Sequence, residues 1–570
     1  MDSSPFAFRL DSNYAATDSE SLEIQTLLKL PTSRLEELST KLKELDDQHK
    51  QLRNEQFSLI SNHSVISLIH KLPIDILQKI FVACLPTAHN AVMSRWEPPI
   101  LLTHICSSWR NVAHATPQLW RSIHIAVPCH RSGSYSVEYR NFSPSQVEHI
   151  NRRSEAVLEW LSRSAAYPLD ISLGHWGAFA LDDFCDKIID SLILFSERWR
   201  DVRLSTPCLA LEPVLALPPS KVPLLETLSL NFHYSPHKRN LQAQIAAQSI
   251  SMTSGVLNAP KLRDLWLHGV WPVQLIGLRN AEDVTRLPIN WSQLTNISLE
   301  GSAWSHGTSS HSLTVSMAYK LFSLSPNLIT CRLEIGTAYS QDSSLPHEST
   351  AALISLPFLT RLSVIENTGL SRLFTLLHLP SLNSIEFQTS IWPSTQESKS
   401  TCLLSLLTRF RNTTQLITDA QFFTRQDFIK CLRFCPLLKS LSIRKPTIYR
   451  TPVPRIPIFR VDDAFLKLFI ESSNDEGYLC PHLEDFESSA ETAFSETTLL
   501  QFVKEKNGDT SHTGLAKLKR LTVVFYCLPL SDVNRELELY KQAGLAATIT
   551  YPLTAHFSAF GGLPGCSSPY

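Results

Sequence analysis

The chain has 570 residues, of which 43% are hydrophobic and 18% charged, so it can bury a sizeable core and is neither a small disulfide-stabilised scaffold nor wholly disordered. Lys and Arg number 52 against 53 for Asp and Glu, which leaves a net charge of -1 and no overall field that would attract a polyanion. Gly accounts for only 17 residues, which argues against glycine-rich phosphate-binding loops, and we predict no nucleic-acid partner.

The first residues, Met-Asp-Ser-Ser-Pro, lack the basic and apolar stretches of a secretory signal, and no window of about 18 uninterrupted apolar residues occurs. The 12 cysteines are scattered, and the closest pair, Cys431 and Cys435, fits neither a zinc half-site nor a redox motif. We therefore predict a cytoplasmic or nuclear protein with reduced cysteines, no membrane segment, and no metal or other cofactor.

The first predicted element is a helical arm over residues 33–64. Pro31 is expected to stop any earlier helix, and Ser33 with Glu36 fits a capping box, so residues 1–32 are expected to be disordered or loosely ordered. Apolar residues recur at alternating intervals of three and four, with His49 and Gln56 at two seam positions, as in a coiled coil. The seam consists of Leu35, Leu38, Leu42, Leu45, Leu52, Leu59 and Ile66. The arm is interpreted either as a homodimerisation helix or as a helix that folds back on its own domain.

A group of short helices is predicted over residues 65–125. Pro73 suits the first turn of a helix whose apolar face follows directly, and Pro98 and Pro99 restart a second helical stretch. Pro117 ends that stretch, and Leu119 and Trp120 are expected to fold over its base.

The order of motifs in this region resembles the F-box, in particular the form abundant in mushroom-forming fungi. A Leu-Pro start at Leu72, a Cys-x-x-Trp centre at Cys106 and a Leu-Trp end at Leu119 occur in sequence, and an Ala-Val-Met-Ser segment at residues 91–94 fills an insertion. The resemblance implies a three-helix module that binds a Skp-type linker protein and, through it, a cullin-RING ubiquitin ligase. The residues implied for linker binding are Leu72, Pro73, Ile76, Leu77, Ile80, Phe81, Ile105, Cys106, Trp109, Leu119 and Trp120.

The same periodicity would also arise in a small helical bundle whose Leu, Ile and Trp side chains only form a core. A three-helix unit of this size encloses few side chains, however, so part of the apolar set should stay on a surface. We therefore expect an exposed apolar patch drawn from Leu72, Pro73, Leu77, Ile80, Phe81 and Trp109.

Beyond a polar connector at residues 126–148, one frame of apolar-x-x-apolar-x-apolar recurs over residues 149–540. Proline ends the preceding helix and keeps the next residues extended, and the last two apolar positions should face inward from a short strand. Copies led by proline begin at Pro223, Pro260, Pro326, Pro357, Pro380, Pro436 and Pro481, and copies without it begin at Leu294 and Leu518. Residues 169–173 and 202–204 are predicted to be two earlier strands.

Helical patterns lie between these copies, so the fold class is predicted to be α/β. The helical arm and the three-helix module precede an irregular leucine-rich-repeat-like solenoid with a parallel sheet of about eleven strands, and residues 541–570 form a tail. The Asn expected after the last Leu of each copy is irregular, since His233 and Val270 stand there in two copies. A non-repetitive α/β array is therefore the alternative.

The residues between the inward-facing positions carry charges of both signs and are predicted to line a sheet face that binds a protein substrate. A dense Arg cluster, which would indicate phosphate recognition, is absent. For each residue the alternative is an ordinary solvated position on a sheet. The candidate substrate contacts are Trp266, His268, Arg332, Glu334, Arg361 and Arg444.

Sequence motifs for catalysis are not found: there is no zinc-binding helix, P-loop or nucleophile elbow. The adjacent acids at Asp182 and Asp462 fit helix starts better than metal ligands. We expect a non-catalytic substrate-receptor subunit of an SCF-type ubiquitin ligase. The alternative is a repeat scaffold that binds a partner outside any ligase.

Overall fold

The computed structural model forms two compact units, Met1–Ile80 and Phe81–Tyr570, and each is described by itself. The residues that the structure describes are 17–66, 72–127, 144–175, 182–233, 254–268, 287–300, 313–335, 352–366, 370–389, 400–419, 423–445, 459–471, 477–489, 492–508, 514–525 and 533–551.

The described α-helices, in chain order, are α1 (Asp18–Ile66), α2 (Ile74–Ala83), α3 (Ile100–Ile105), α4 (Ser107–His114), α5 (Pro144–Arg163), α6 (Asp182–Ile193), α7 (Glu212–Leu215), α8 (Val315–Leu324), α9 (Ser371–Thr375), α10 (Ser400–Arg409), α11 (Arg425–Arg433), α12 (Asp463–Lys467), α13 (Glu496–Asn507), α14 (Val533–Glu536) and α15 (Glu538–Gln542).

The described strands are β1 (Ser122–Val127), β2 (Leu169–His175), β3 (Trp199–Pro207), β4 (Thr227–His233), β5 (Asp264–His268), β6 (Asn296–Glu300), β7 (Thr330–Ile335), β8 (Ile354–Ser355), β9 (Arg361–Glu366), β10 (Leu377–His378), β11 (Ser384–Thr389), β12 (Gln415–Thr418), β13 (Ser440–Ile443), β14 (Val461–Asp462), β15 (Asp485–Ser488), β16 (Thr492–Ala493), β17 (Arg520–Val524) and β18 (Ala546–Thr550).

Helix α1 begins well before the predicted start at Ser33 and contains Pro31, so that prediction is wrong. The start signal lies upstream, because the Thr17 N–H donates to Glu20 Oε2 at 2.9 Å and the Thr17 carbonyl accepts from the Ser21 N–H at 2.8 Å. Proline removes only one backbone donor, and this helix continues through it. Residues 18–32, expected to be loosely ordered, are therefore helical, and residues 1–16 lie outside the described residues.

Among the described residues the main sheet has 14 strands, in the order β1-β2-β3-β4-β5-β6-β7-β9-β11-β12-β13-β15-β17-β18, and neighbouring strands are parallel. Strands β8 and β10 form a separate parallel pair, as do β14 and β16. The predictions of an α/β fold, an N-terminal helical region and a long parallel sheet are thus confirmed. Every strand predicted from the recurring frame is present.

One hydrogen-bonding pattern recurs at the start of consecutive strands. The carbonyl of Ile329, just before β7, accepts from the N–H groups of both Thr360 and Arg361, at 2.9 and 3.2 Å, where β9 begins. Carbonyls with the same two-donor link belong to Glu226, Arg263, Thr295, Thr360, Asn383, Thr414, Lys439 and Glu484. This link sets the register of each strand against its neighbour.

A buried side chain precedes each of these carbonyls and anchors the link in the core. It is leucine in every case but one, as with Leu328 before Ile329 and Leu359 before Thr360, which have no exposed surface. The exception is Thr413, which is equally buried. Since burying a leucine contributes roughly 1.5–3 kcal/mol, each link carries its own hydrophobic stabilisation.

The sheet has three strands that the sequence did not predict, one inside the predicted range and two beyond its limits. Strand β12 has no apolar frame in the sequence, because Thr413 and Thr418 stand where the other copies have apolar residues. Strand β1 lies in residues assigned to the helical module and the start of the connector, and β18 lies in the predicted tail. The boundaries of 149 and 540 for the sheet region are therefore wrong. Residues 128–143 of the predicted connector and 552–570 of the tail lie outside the described residues.

The insertion at residues 91–94 covers the first edge of the sheet. Val92 forms a parallel bridge with His124, whose N–H donates to the Ala91 carbonyl at 2.7 Å. Asn90 adds a side-chain hydrogen bond to Ser172 Oγ at 3.1 Å. Because Ala91 and Val92 are buried, the insertion shields backbone groups that an edge strand would otherwise present.

A lysine lies in the core of the second unit. Lys506 of α13 has no exposed surface, and its Nζ is 3.5 Å from the Pro481 carbonyl oxygen. Burial lowers the pKa of Lys506 to about 8. The folded chain therefore loses this proton above about pH 8, whereas the unfolded chain holds it up to its usual pKa near 10.5, and at pH 7 the buried amine still carries its charge.

We predict that Lys506→Met raises the free energy of unfolding by roughly 3 kcal/mol at pH 7, because the folded protein no longer holds a buried charge. Between pH 8 and 10.5 the unfolded wild type binds more protons than the folded one, so wild-type stability rises with pH and the gain shrinks. Urea titrations across this pH range measure the difference. The exposed Lys504→Met is the control, and an unchanged or lower stability of the Lys506 variant at pH 7 would contradict the prediction.

Candidate functional site

The exposed face of the main sheet carries side chains in rows that run across the strands, because neighbouring strands are parallel and in register. In the central row, serines alternate with large side chains from β1 to β11. The row reads His124, Ser172, Arg203, Ser229, Trp266, Ser298, Arg332, Ser363 and Glu386.

Two of these serines lie between large side chains that meet above them. The Arg203 guanidinium lies 5.1 Å from the centre of the Trp266 ring, across Ser229. Arg332 Nη1 lies 2.7 Å from Glu386 Oε1, across Ser363. Two strand spacings amount to about 10 Å, a span that long side chains bridge when the residue between them is small.

Five charged side chains form a continuous series of ion pairs, which we call the face network: Glu300, Arg332, Glu386, Arg444 and Glu487. Arg332 pairs with both Glu300 and Glu386. Arg444 continues the series to Glu386 at 3.5 Å and to Glu487 at 3.9 Å. Charges of opposite sign thus alternate across the strands from β6 to β15.

Glu386 is the most buried member of the face network, with 5% of the residue exposed. Besides the two arginines, Gln388 Nε2 donates to Glu386 Oε1 at 2.9 Å. The Ser363 hydroxyl beside it on β9 is buried and has no hydrogen-bond partner among the described residues. A buried carboxylate needs several donors to offset its lost hydration, and Glu386 has them.

His268 lies at one end of the face network. Its Nε2 is 3.1 Å from Ser298 Oγ and 3.8 Å from Glu300 Oε1. Burial lowers the pKa of His268, Glu300 opposes that shift, and Arg332 adds to it. Burial also acts to lower the pKa of Arg332, but Glu300 and Glu386 outweigh it and raise that pKa.

A second row of polar residues lies nearer the start of the strands. Asp264 Oδ2 accepts from Thr227 Oγ1 at 3.2 Å, and its Oδ1 accepts from Thr295 Oγ1 at 3.1 Å. Further along the row, Arg361 Nη2 donates to Gln415 Oε1 at 3.0 Å. These neutral and charged hydrogen bonds join neighbouring strands along the same face.

The structure brings together three of the six predicted substrate contacts. Arg332 and Arg444 belong to the face network, and His268 touches its edge. Trp266 is two row positions from Arg332, with Ser298 between them, and Glu334 is on the same face of β7 as Arg332. Arg361 lies in the other row.

Sequence reasoning missed Arg203, Gln388 and Gln415 as members of this face. Arg203 lies between the inward-facing Val202 and Leu204, so the alternation of β3 would have placed it on the exposed face. Gln388 follows Ser384 and Glu386 at the next alternate position of β11, so it lies on the same face. Gln415 offered no such signal, because β12 lacks the apolar frame.

In the first unit, the predicted linker-binding residues are partly exposed. Ile76 and Ile80 are 38% and 37% exposed on α2, Pro73 is exposed, and Leu72 is half-buried. Leu77 is buried, at 5%. The adjacent Ile74, which was not among the predicted contacts, is the most exposed apolar residue of this helix.

In the second unit, Ile105 is exposed at the end of α3, and Cys106 and Trp109 are half-buried. Cys106 caps α4, since its Sγ accepts from the Trp109 N–H at 3.4 Å. The Trp109 ring lies 4.9 Å from the ring of Phe81, which is wholly buried.

Leu119 and Trp120 belong to the core and not to the predicted docking set, because neither has exposed surface. Trp120 Nε1 donates to the Ala113 carbonyl at 2.9 Å, and its ring meets that of Trp160 edge-on, with the centres 4.9 Å apart. A short helical turn, Pro117–Trp120, leads directly into β1, and this position draws both side chains inward. Leu77 and Phe81 are likewise buried.

In the described part of the chain, no helix is long and apolar enough to cross a membrane, and no group of three or more His, Cys, Asp or Glu side chains is placed to hold a metal ion. No protein-family model matches the chain, and no curated protein matches it. Its function is therefore inferred from residues and geometry.

We predict that Glu386→Ala lowers the free energy of unfolding by about 3 kcal/mol, because it leaves Arg332 and Gln388 without their shared acceptor in a buried setting. Glu487→Ala, which removes the half-buried end of the same series, is expected to cost only about 1 kcal/mol, because Glu487 is more exposed than Glu386. Denaturant titration of both variants measures the contrast, and equal losses would contradict the central position of Glu386.

Proposed function

We propose that residues 65–125 bind a Skp-type linker protein and that the chain is the substrate-receptor subunit of an SCF-type cullin-RING ubiquitin ligase. The observation that carries this proposal is the F-box-like order of motifs, together with apolar side chains left in water within those motifs. The two parts of the argument are independent, since the first comes from sequence and the second from exposure.

The exposed side chains fit a docking role. Helix α2 has ten residues, of which Ile74, Ile76 and Ile80 are exposed isoleucines. In the second unit, Ile105 is 53% exposed, and the half-buried Trp109 follows it closely along the chain. Single exposed apolar residues are common, but several within one motif indicate a surface that a partner covers.

The buried members of the motif have a different role in this proposal. Leu77, Phe81, Leu119 and Trp120 are buried and would serve as core residues, while Ile76, Ile80, Ile105 and Trp109 would contact the linker. Along α2, the buried Leu77 and Phe81 each follow an exposed isoleucine, so one short stretch of sequence specifies both.

We further propose that residues 122–550 form a leucine-rich-repeat-like solenoid whose exposed sheet face binds the protein substrate. The chain-ordered parallel strands and the repeated two-donor carbonyl link support it. The face network already pairs its own charges, so a substrate would need to fit its alternating pattern of acids and bases instead of binding one unpaired charge. Trp266, with Arg203 over its ring, adds apolar area at one end.

The chemistry proposed for the complex is positional. The receptor holds a substrate lysine near a ubiquitin thioester carried by another protein, which raises the effective concentration of the reacting groups. No residue of this chain has to act as an acid, base or nucleophile in that arrangement.

The proposal predicts that the full-length chain captures a purified Skp-type linker and that Ile76→Asp with Ile80→Asp weakens capture at least about tenfold, because two carboxylates would be desolvated in the interface. Lys79→Asp, an exposed substitution on the same helix, is the control. Surface-immobilised chain and titrated linker give the dissociation constants.

Two results would contradict the proposal: a wild-type chain that does not bind the linker, or a double variant that binds it as tightly as the control. The first would favour a scaffold that binds its partner outside any ligase. Circular dichroism of each variant verifies that the helices and the sheet are intact.

A further inference from the structure

Helix α1 carries an exposed leucine seam between residues 35 and 52. Its members are 56% to 70% exposed: Leu35, Leu38, Leu42, Leu45 and Leu52. A seam of this kind is unfavourable in water and is stabilised when a second helix covers it. The described seam continues to Gln56.

The seam follows a seven-residue repeat with two kinds of layer. Leu38, Leu45 and Leu52 occupy one set of positions, called d. The other set, called a, changes along the helix from leucine at Leu35 and Leu42 to polar residues at His49 and Gln56. One half of the seam therefore has alternating leucine and polar layers.

We propose that α1 pairs with α1 of a second copy of this chain, parallel and in register. In a parallel in-register pair each a residue meets its own copy, so His49 faces His49 and Gln56 faces Gln56, while leucine meets leucine at d. In an antiparallel pair a faces d, which would bury these polar side chains against leucine. The distribution of polar residues thus selects the parallel arrangement.

The charges beside the seam select the same arrangement. In a parallel pair, Lys41 of one copy lies beside Asp46 of the other, five residues further along. Within each helix, Lys41 already pairs with Glu37 at 2.6 Å and Asp46 with Lys50 at 2.6 Å. The contact between copies would join these two pairs into one series of alternating charge.

The other flanking positions do not oppose this pairing. Arg34 would lie beside Ser39 of the second copy, and Gln48 beside Arg53, so no like charges meet. This inference concerns the first unit alone and does not rest on the proposed ligase function.

The first experiment measures the mass of the full-length chain by sedimentation over an approximately hundredfold range of concentration. The wild type and Lys43→Gln, which changes an exposed residue outside the seam, are expected to form dimers at the high end. Leu42→Gln is expected to raise the dimer dissociation constant at least about tenfold. Because Leu42 is exposed, circular dichroism of the variant should match the wild type. A wild type that is monomeric throughout, or a Leu42 variant that dimerises as well as the control, would overturn the proposal.

The second experiment tests orientation. Lys41→Glu and Asp46→Lys each place like charges opposite one another in a parallel homodimer, whereas a mixture of the two variants restores opposite charges at both contacts. A tagged Lys41→Glu chain is therefore expected to capture untagged Asp46→Lys roughly fivefold more than it captures untagged Lys41→Glu. Equal capture would overturn the parallel register.

Discussion

The two-donor carbonyl link is the constraint on which the rest of the second unit depends. Each link joins the residue before one strand to two amides at the start of the next, and a buried side chain directly before the carbonyl, leucine in all but one case, holds it in the core. Because side chains alternate between the two faces of a strand, a register fixed at its start also decides which residues are exposed. The composition of the sheet face is therefore a consequence of the core.

That register explains why charged residues that are distant in sequence form pairs. Arg332 and Glu386 lie on strands separated by one other, and they meet because Ser363 between them is small. A larger residue at that position would separate a buried carboxylate from its donor. Glu386 is only 5% exposed, and it keeps its ion pair with Arg332 because the strand register aligns the two residues and Ser363 between them is small.

Much of the sheet could be predicted because proline and leucine mark where each strand begins, but the same reasoning missed β12, where Thr413 anchors the link instead of leucine. It also placed Leu119 and Trp120 on a docking surface, since an apolar pattern does not tell a core side chain from an exposed one. Pro31 and the capping-box pattern at Ser33 and Glu36 predict a later start for α1 than the one at Asp18, where Glu20 caps the Thr17 N–H. Individual ion pairs could not be predicted, because they depend on register between strands separated by whole helices and loops.

The central proposal is that residues 65–125 bind a Skp-type linker while the sheet is free to bind something else. Hydrogen–deuterium exchange of the full-length chain, with and without a purified Skp-type linker, tests it most directly. The account predicts slower exchange in α2, α3 and α4 and unchanged exchange in strands β4 to β17. Unchanged exchange in the helices, or slower exchange confined to the strands, would contradict it.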